Sequence, residues 1–306
     1  MDELLEFSER PTCQEAYMIA GWRQWADAGA ISSGLPVYLA EQLGARKIGS
    51  IQSDRFYMYQ LPGTQDFLRP EVKMKDGYRV EFKPKKNEVF FSGDEQKGVY
   101  IFTGDEPHLG IERYAEAFFN LAKELGVRRV AAVGGVYAPV PFDKDREFSC
   151  SYSLPKMKDE LSPYAVRFSN YEGGASIGTY LVDQAEKMGI EYVAIYAMVP
   201  MYDLSQLAQH LQVMTIDNDH KAWLDLLRRF DYMFKMGLDL TVLEQQSEES
   251  IESITEKITE LEKRMPQLQV KEHIKKLTKD FAETSFMPLD DVWETGLRDI
   301  FKDLDP

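Results

Sequence analysis

The sequence predicts an α/β fold on a largely parallel sheet, and three observations carry that prediction. One phrase recurs three times: Ala40 to Ile51 (AEQLGARKIGSI), Ala122 to Val133 (AKELGVRRVAAV) and Ala185 to Tyr196 (AEKMGIEYVAIY). Each runs from Ala through Leu or Met to a Gly, the residue that ends helices at C′ because its left-handed backbone meets no Cβ penalty. A short apolar or β-branched run follows each Gly, as a buried strand requires. Beyond Gly237 the pattern changes to apolar residues spaced three and four apart, which adds a helical subdomain.

Taken in order, Ala16 to Ala20 reads as the first strand, broken at Gly21. Gly29 to Leu43 is a helix with Pro36 inside it, so a kink or a fresh first turn is expected there. Lys47 to Gln52 is the second strand. Between residues 54 and 98, short aromatic and β-branched runs (Tyr78 to Phe82, Glu88 to Phe91) stand between Gly, Pro and Asn, the signature of antiparallel hairpins inserted into or extending the sheet. Val99 to Thr103 is a strand. The helix after it shows one apolar face through Ile111, Tyr114, Ala115, Phe118, Ala122 and Leu125. Arg129 to Val133 and Tyr192 to Val199 complete the buried strands. Residues 139–163 read as irregular, with a small hairpin around Phe148 to Ser153. A helix rich in aromatic residues and Leu spans Asp219 to Met236. In the tail, Ile251, Ile254, Ile258, Leu261, Met265 and Leu268 form one stripe, Pro266 is expected to break it, a second helix follows from Val270, and a third starts near Pro288. The expected division is an α/β core over 1–237, with inserted hairpins around 54–98, and a helical extension over 238–306.

The chain is long enough for such a core plus an appendage. Its net charge of −15 argues against general binding to nucleic acid or an anionic membrane. Cys13 and Cys150 have no metal-type spacing, the acidic N-terminus lacks a signal-peptide core, and no apolar run approaches bilayer length. A cytoplasmic protein is expected, with no metal and no cofactor.

Polar and Gly-rich segments collect after the strands: Gly21-Trp22 with Asp27-Ala28-Gly29, then Gly104-Asp105-Glu106-Pro107-His108, Gly134-Gly135 and Val199-Pro200-Met201-Tyr202. One reading is a ligand crevice beyond the strand ends, with Gly134-Gly135 and Gly173-Gly174 bringing backbone N–H groups to an anion. The structural alternative is that turns into helices need Gly for conformation and acids for the helix dipole, which accounts for Asp27, Asp105 and Glu106. Glu106 and His108 could form an acid–base pair, and Glu172 could face a ligand or open a helix. There is no G-x-G-x-x-G, no phosphate loop and no nucleophile elbow, and the four histidines have no i, i+4 pairing, so no residue is assigned a catalytic role.

Together with Phe67-Leu68-Arg69-Pro70 and Tyr171-Glu172-Gly173, these segments in this order resemble the proteasome assembly chaperone 2 family from about Tyr17 to Tyr202. The resemblance implies a three-layer α/β/α core similar to the nucleoside phosphorylase fold, in a homo-oligomer of trimer size or larger. It also implies a non-enzymatic binding role like that of the eukaryotic relatives, which chaperone assembly of the proteasome α-ring. The family motifs mark Trp22, Asp27, Arg69, Glu106, His108, Gly134, Gly135, Tyr171, Glu172, Gly173 and Tyr202 as candidates for binding a ligand or partner. The family often carries Pro-His where this chain has Pro141-Phe142 and Pro200-Met201, which removes any shared imidazole role. The end, Leu304-Asp305-Pro306, lacks the tyrosine of relatives that dock into a proteasome pocket. The alternative function is a small-molecule enzyme or sensor that takes a nucleoside- or phosphate-type ligand in the strand-end crevice.

Overall fold

Side chains alternate across a strand, so one buried on both faces must be apolar at every position. The central strands meet that demand. Met18, Ala20, Tyr100, Phe102, Val130 and Ala132 face one core, and Ile19, Val99, Ile101, Ala131 and Val133 face a second. A computed structural model describes residues 3–23, 25–53, 55–59, 69–208, 211–284 and 286.

The strands are β1 (Leu5–Phe7), β2 (Glu15–Arg23), β3 (Arg46–Ile51), β4 (Glu71–Lys75), β5 (Tyr78–Lys83), β6 (Asn87–Gly93), β7 (Lys97–Asp105), β8 (Arg129–Ala138), β9 (Phe148–Tyr152), β10 (Arg167–Phe168), β11 (Glu191–Asp203) and β12 (Val213–Thr215). The helices are α1 (Gly34–Gln42), α2 (Ile111–Glu124), α3 (Met157–Leu161), α4 (Ile177–Met188), α5 (His220–Phe234), α6 (Thr241–Arg264) and α7 (Val270–Leu277). The main sheet runs β1-β3-β6-β7-β2-β8-β11-β9-β10, with β12 paired to the far end of β11. Its centre, β7-β2-β8-β11, is parallel. On one flank β6, β3 and β1 alternate antiparallel, and on the other β9 is antiparallel to β11. Helices α2 and α4 cover one face, and α1 and α5 the other.

All three repeated phrases end their helices at a left-handed glycine: Gly44 (φ 56°), Gly126 (φ 67°) and Gly189 (φ 67°). The strand after the first, β3, stands outside the parallel block because β6 returns between it and β7. The sheet is therefore mixed. Pro36 sits in the first turn of α1, where its missing N–H has no helical acceptor to satisfy, and a separate 3-10 turn (Ala28–Ala30) precedes it. The region expected to be irregular holds α3 as well as β9. Helix α6 begins at Thr241, ten residues before the apolar stripe, and Leu243 in its first turn joins the core beneath α5. Pro266 separates α6 from α7 as expected. Ile258, Val270 and Ile274 of these two helices pack on Tyr202 and Leu204. The third expected tail helix lies outside the described residues, as do Phe67 and Leu68. No helix among the described residues is long and apolar enough to cross a membrane.

Candidate functional site

The chain leaves β2 toward α1 on one face and leaves β7 toward α2 on the other, and such divergence opens a crevice at the carboxyl ends of a parallel sheet. Gly135 N–H donates to Ala26 O at 2.8 Å and Asp27 forms a bridge with Gly135, so the segment after β2 crosses the end of β8. A Cβ on Gly135 would stand 2.0 Å from Ala28 O, and one on Gly134 2.5 Å from the Tyr196 ring. These glycines serve close packing, and the Gly135 N–H is already taken by a carbonyl rather than offered to an anion.

Asp27 Oδ1 accepts from the N–H groups of Ser32 (3.0 Å) and Ser33 (2.9 Å), which fixes the turn into α1. Burial raises its pKa, and these bonds oppose the rise. Glu106 does the same for α4: Oε1 accepts from Ile177 N–H at 2.8 Å and Oε2 from Trp25 N–H at 3.3 Å. Its pKa is also raised by burial. Two of the acids named from the sequence, Asp27 and Glu106, thus hold main-chain N–H groups, the structural role weighed against a ligand-facing one.

Beside Glu106 lies a cavity of about 270 Å³ between the ends of β8 and β11, the strand β9 and the first turn of α4. Its hydroxyl side holds Ser149, Ser151, Ser176, Thr179 and Tyr196, and its mouth carries Trp25 and Tyr171. Tyr196 Oη stands 2.8 Å from Ser176 Oγ and 3.0 Å from Thr179 Oγ1. Of the sequence candidates, Tyr171 lines the cavity, Gly134 backs Tyr196, and Glu106 ties the Trp25 backbone to α4. Glu172 and Gly173 are exposed in the loop that carries Tyr171.

The remaining candidates serve elsewhere. Trp22 is core: its Nε1 donates to Tyr114 Oη at 2.7 Å, which lies 2.8 Å from Asn87 Oδ1, and its rings pack on Phe102 and Phe118. His108 Nδ1 accepts from Met58 N–H at 3.2 Å, and burial, together with the nearby Lys85 charge, lowers its pKa. His108 and Glu106 therefore engage different main-chain donors. The Arg69 guanidinium lies 5.0 Å from the centre of the Tyr59 ring. Tyr202 is buried, and its hydroxyl donates to Val140 O at 2.7 Å. Phe142 packs on the same cluster as Tyr202. Among the described residues no group of three or more His, Cys, Asp or Glu is placed to hold a metal ion.

Two features escaped sequence reasoning. The serines flanking Cys150 lie two apart on β9, a period that puts both hydroxyls on the cavity side while Cys150 faces the core. The second is that the hairpin β4–β5 forms a separate two-stranded sheet, exposed along its whole length, and does not extend the main one. Val72 pairs with Phe82, Met74 and Val80 follow along the same strands, and the pairs Glu71–Lys83 and Lys73–Glu81 alternate with them.

The sequence profile described as the PAC2 family matches residues 22–259. The chain belongs to the PAC2 family. Solved structures agree in fold. A PAC2 family protein from Streptomyces avermitilis is similar at TM-score 0.65 and 20% identity, covering 79% of this chain and 95% of its own. A Mycobacterium tuberculosis proteasome-assembly chaperone homologue is similar at TM-score 0.66 and 22% identity, with 79% and 95% covered. An archaeal proteasome activator from Pyrococcus furiosus reaches TM-score 0.59 at 17% identity, with 83% and 98% covered. No curated protein matches the chain. At these identities the likeness establishes the shared PAC2 fold of mixed sheet and flanking helices.

Proposed function

We propose that this PAC2 protein is a non-enzymatic, assembly-chaperone-like binding protein that works as a homo-oligomer, with the β4–β5 hairpin of one copy docked on the acidic body of the next. The observation that carries the reading is the exposed hairpin. Two strands alone are at best marginally stable in water, and an apolar row normally needs a partner surface. Here Val72 is 58% exposed and Phe82 49%. Charge favours a second copy as that partner. Residues 69–86 carry seven Lys or Arg against three Asp or Glu, in a chain whose net charge is −15. A basic hairpin with an apolar row therefore complements the surface of its own kind.

The chaperone-like part is supported by proteins of similar fold, which include a proteasome-assembly chaperone homologue and a proteasome activator. Glu106, the carboxylate of the acid–base pair considered from the sequence, is engaged by main-chain N–H groups, as is Asp27. Sedimentation velocity tests the oligomer: the wild type should sediment as several copies and a Val72→Glu/Phe82→Glu variant as one. Affinity capture from the native cell tests the chaperone role, which predicts a stoichiometric protein partner. Recovery of the chain alone under several conditions would count against that role.

A further inference from the structure

We propose that the cavity between β8, β9, β11 and the start of α4 binds a small neutral ligand, a flat aromatic ring bearing a hydroxylated substituent, of the size and kind of an aromatic glycoside or a nucleoside. This site is separate from the hairpin and does not depend on it.

The lining sets the chemistry. None of the side chains around the cavity, among the described residues, is ionisable at neutral pH as Asp, Glu, Lys, Arg or His. An ionic ligand would lose hydration there without a countercharge, a cost that a neutral one avoids. The N-terminus of α4 would ordinarily attract an anion. Here the chain supplies its own: Glu106 Oε1 accepts the Ile177 N–H at 2.8 Å, so that position is already filled. Of the nucleoside-type and phosphate-type ligands that a strand-end crevice allows, the lining favours the uncharged one.

The two ends of the cavity differ. Inside, Tyr196 Oη, Ser176 Oγ and Thr179 Oγ1 form a hydrogen-bonded cluster with 2.8–3.3 Å separations. Opposite on β9, the hydroxyls of Ser149 and Ser151 have no hydrogen-bond partner among the described residues. Each can both donate and accept, which matches the hydroxyls of a sugar. At the mouth, Trp25 is 75% exposed and Tyr171 68%, and Val136 and Met198 add apolar surface. Two large aromatic side chains left in water beside a hydroxyl-lined cavity offer faces on which a planar ring stacks. A bare polyol would not use those faces, and a bare aromatic would leave the serines unpaired. The volume of about 270 Å³ lies near the lower end of the roughly 300–1,000 Å³ typical of ligand pockets, so it fits one ring and one sugar.

Isothermal titration of the full chain with adenosine and with 4-nitrophenyl β-glucoside tests the proposal, with AMP and glucose as charged and ring-free controls. At least one of the first two should bind. AMP and glucose should each bind about tenfold or more weaker than it. Ser149→Ala/Ser151→Ala should weaken the bound probe about tenfold, the loss of one or two hydrogen bonds. Tyr171→Ala, at an exposed position that leaves the core intact, should weaken it as well. Absence of binding by both neutral probes, AMP binding as tightly as adenosine, glucose binding as tightly as its nitrophenyl glycoside, or full affinity in both variants would overturn the assignment.

Discussion

Replacing Gly135 by Ala separates a packing role for the Gly-Gly pair from an anion-binding one. The new Cβ would stand 2.0 Å from Ala28 O and 2.8 Å from Ile31 Cγ1, and the nearer atom is backbone that no rotamer change can move. Restoring ordinary contact near 3.4 Å requires the segment after β2 to retreat by more than an ångström, out of reach of the 2.8 Å bond from Gly135 N–H to Ala26 O. Overpacking of this kind costs about 1–3 kcal/mol and the lost hydrogen bond about 1 kcal/mol. The lower entropy of the unfolded Ala chain offsets about 0.4–1 kcal/mol of that. The net loss is about 1–3.5 kcal/mol. With an unfolding entropy of about 2.1 cal/mol/K per residue, it lowers Tm by roughly 2–5 °C. Gly174→Ala is the control, because a Cβ there meets nothing within 4 Å. Differential scanning calorimetry of the three proteins reads the result. A Gly135→Ala variant melting with the wild type would refute the packing argument and return the pair to the anion-binding reading.

Glu106 gives a pH-dependent prediction. Burial raises its pKa above the ordinary 4.5, so its contribution to stability is present below that value and is lost as pH rises through the raised folded pKa. Glu106→Gln cannot ionise, so its Tm relative to wild type should climb as pH goes from about 4 to about 7; a flat or falling difference would contradict this. Arg146 and Asp219 form a buried ion pair at 2.8 Å, and Arg146 also donates to the carbonyls of Pro141, Phe142 and Lys144. Asp219→Ala strands that guanidinium and also removes the cap on Ala222 N–H, so it should destabilise by about 3–5 kcal/mol in chemical denaturation. Asp219→Asn, which keeps an acceptor, should cost less.

The local grammar of the fold was legible because it depends on local physics. Gly44, Gly126 and Gly189 take the left-handed conformation that a helix end demands, and Pro36 opens a new first turn. Lateral order was not legible. β3 and β11 follow the same helix–Gly phrase, yet β3 pairs only with antiparallel neighbours, and strand pairing across a sheet leaves no mark in a short window. The site was legible only in part. A carboxylate reads the same whether it meets substrate or, like Glu106 and Asp27, a helix start elsewhere in the chain. The Ser-Cys-Ser alternation on β9 was visible as a period of two, but nothing local shows that its polar side faces a cavity. The run Tyr78 to Phe82 announces a hairpin strand; that Val72, Met74, Val80 and Phe82 stay exposed becomes visible only in three dimensions.

Sedimentation velocity on the wild type and on Val72→Glu/Phe82→Glu at equal concentration decides whether the chain is a homo-oligomer joined through the β4–β5 hairpin. Both substitutions fall on exposed residues, so the far-UV circular dichroism of the variant should match the wild type. The wild type should sediment as several copies and the variant as a single chain. A monomeric wild type, or a variant that keeps the wild-type sedimentation coefficient, would contradict that assembly.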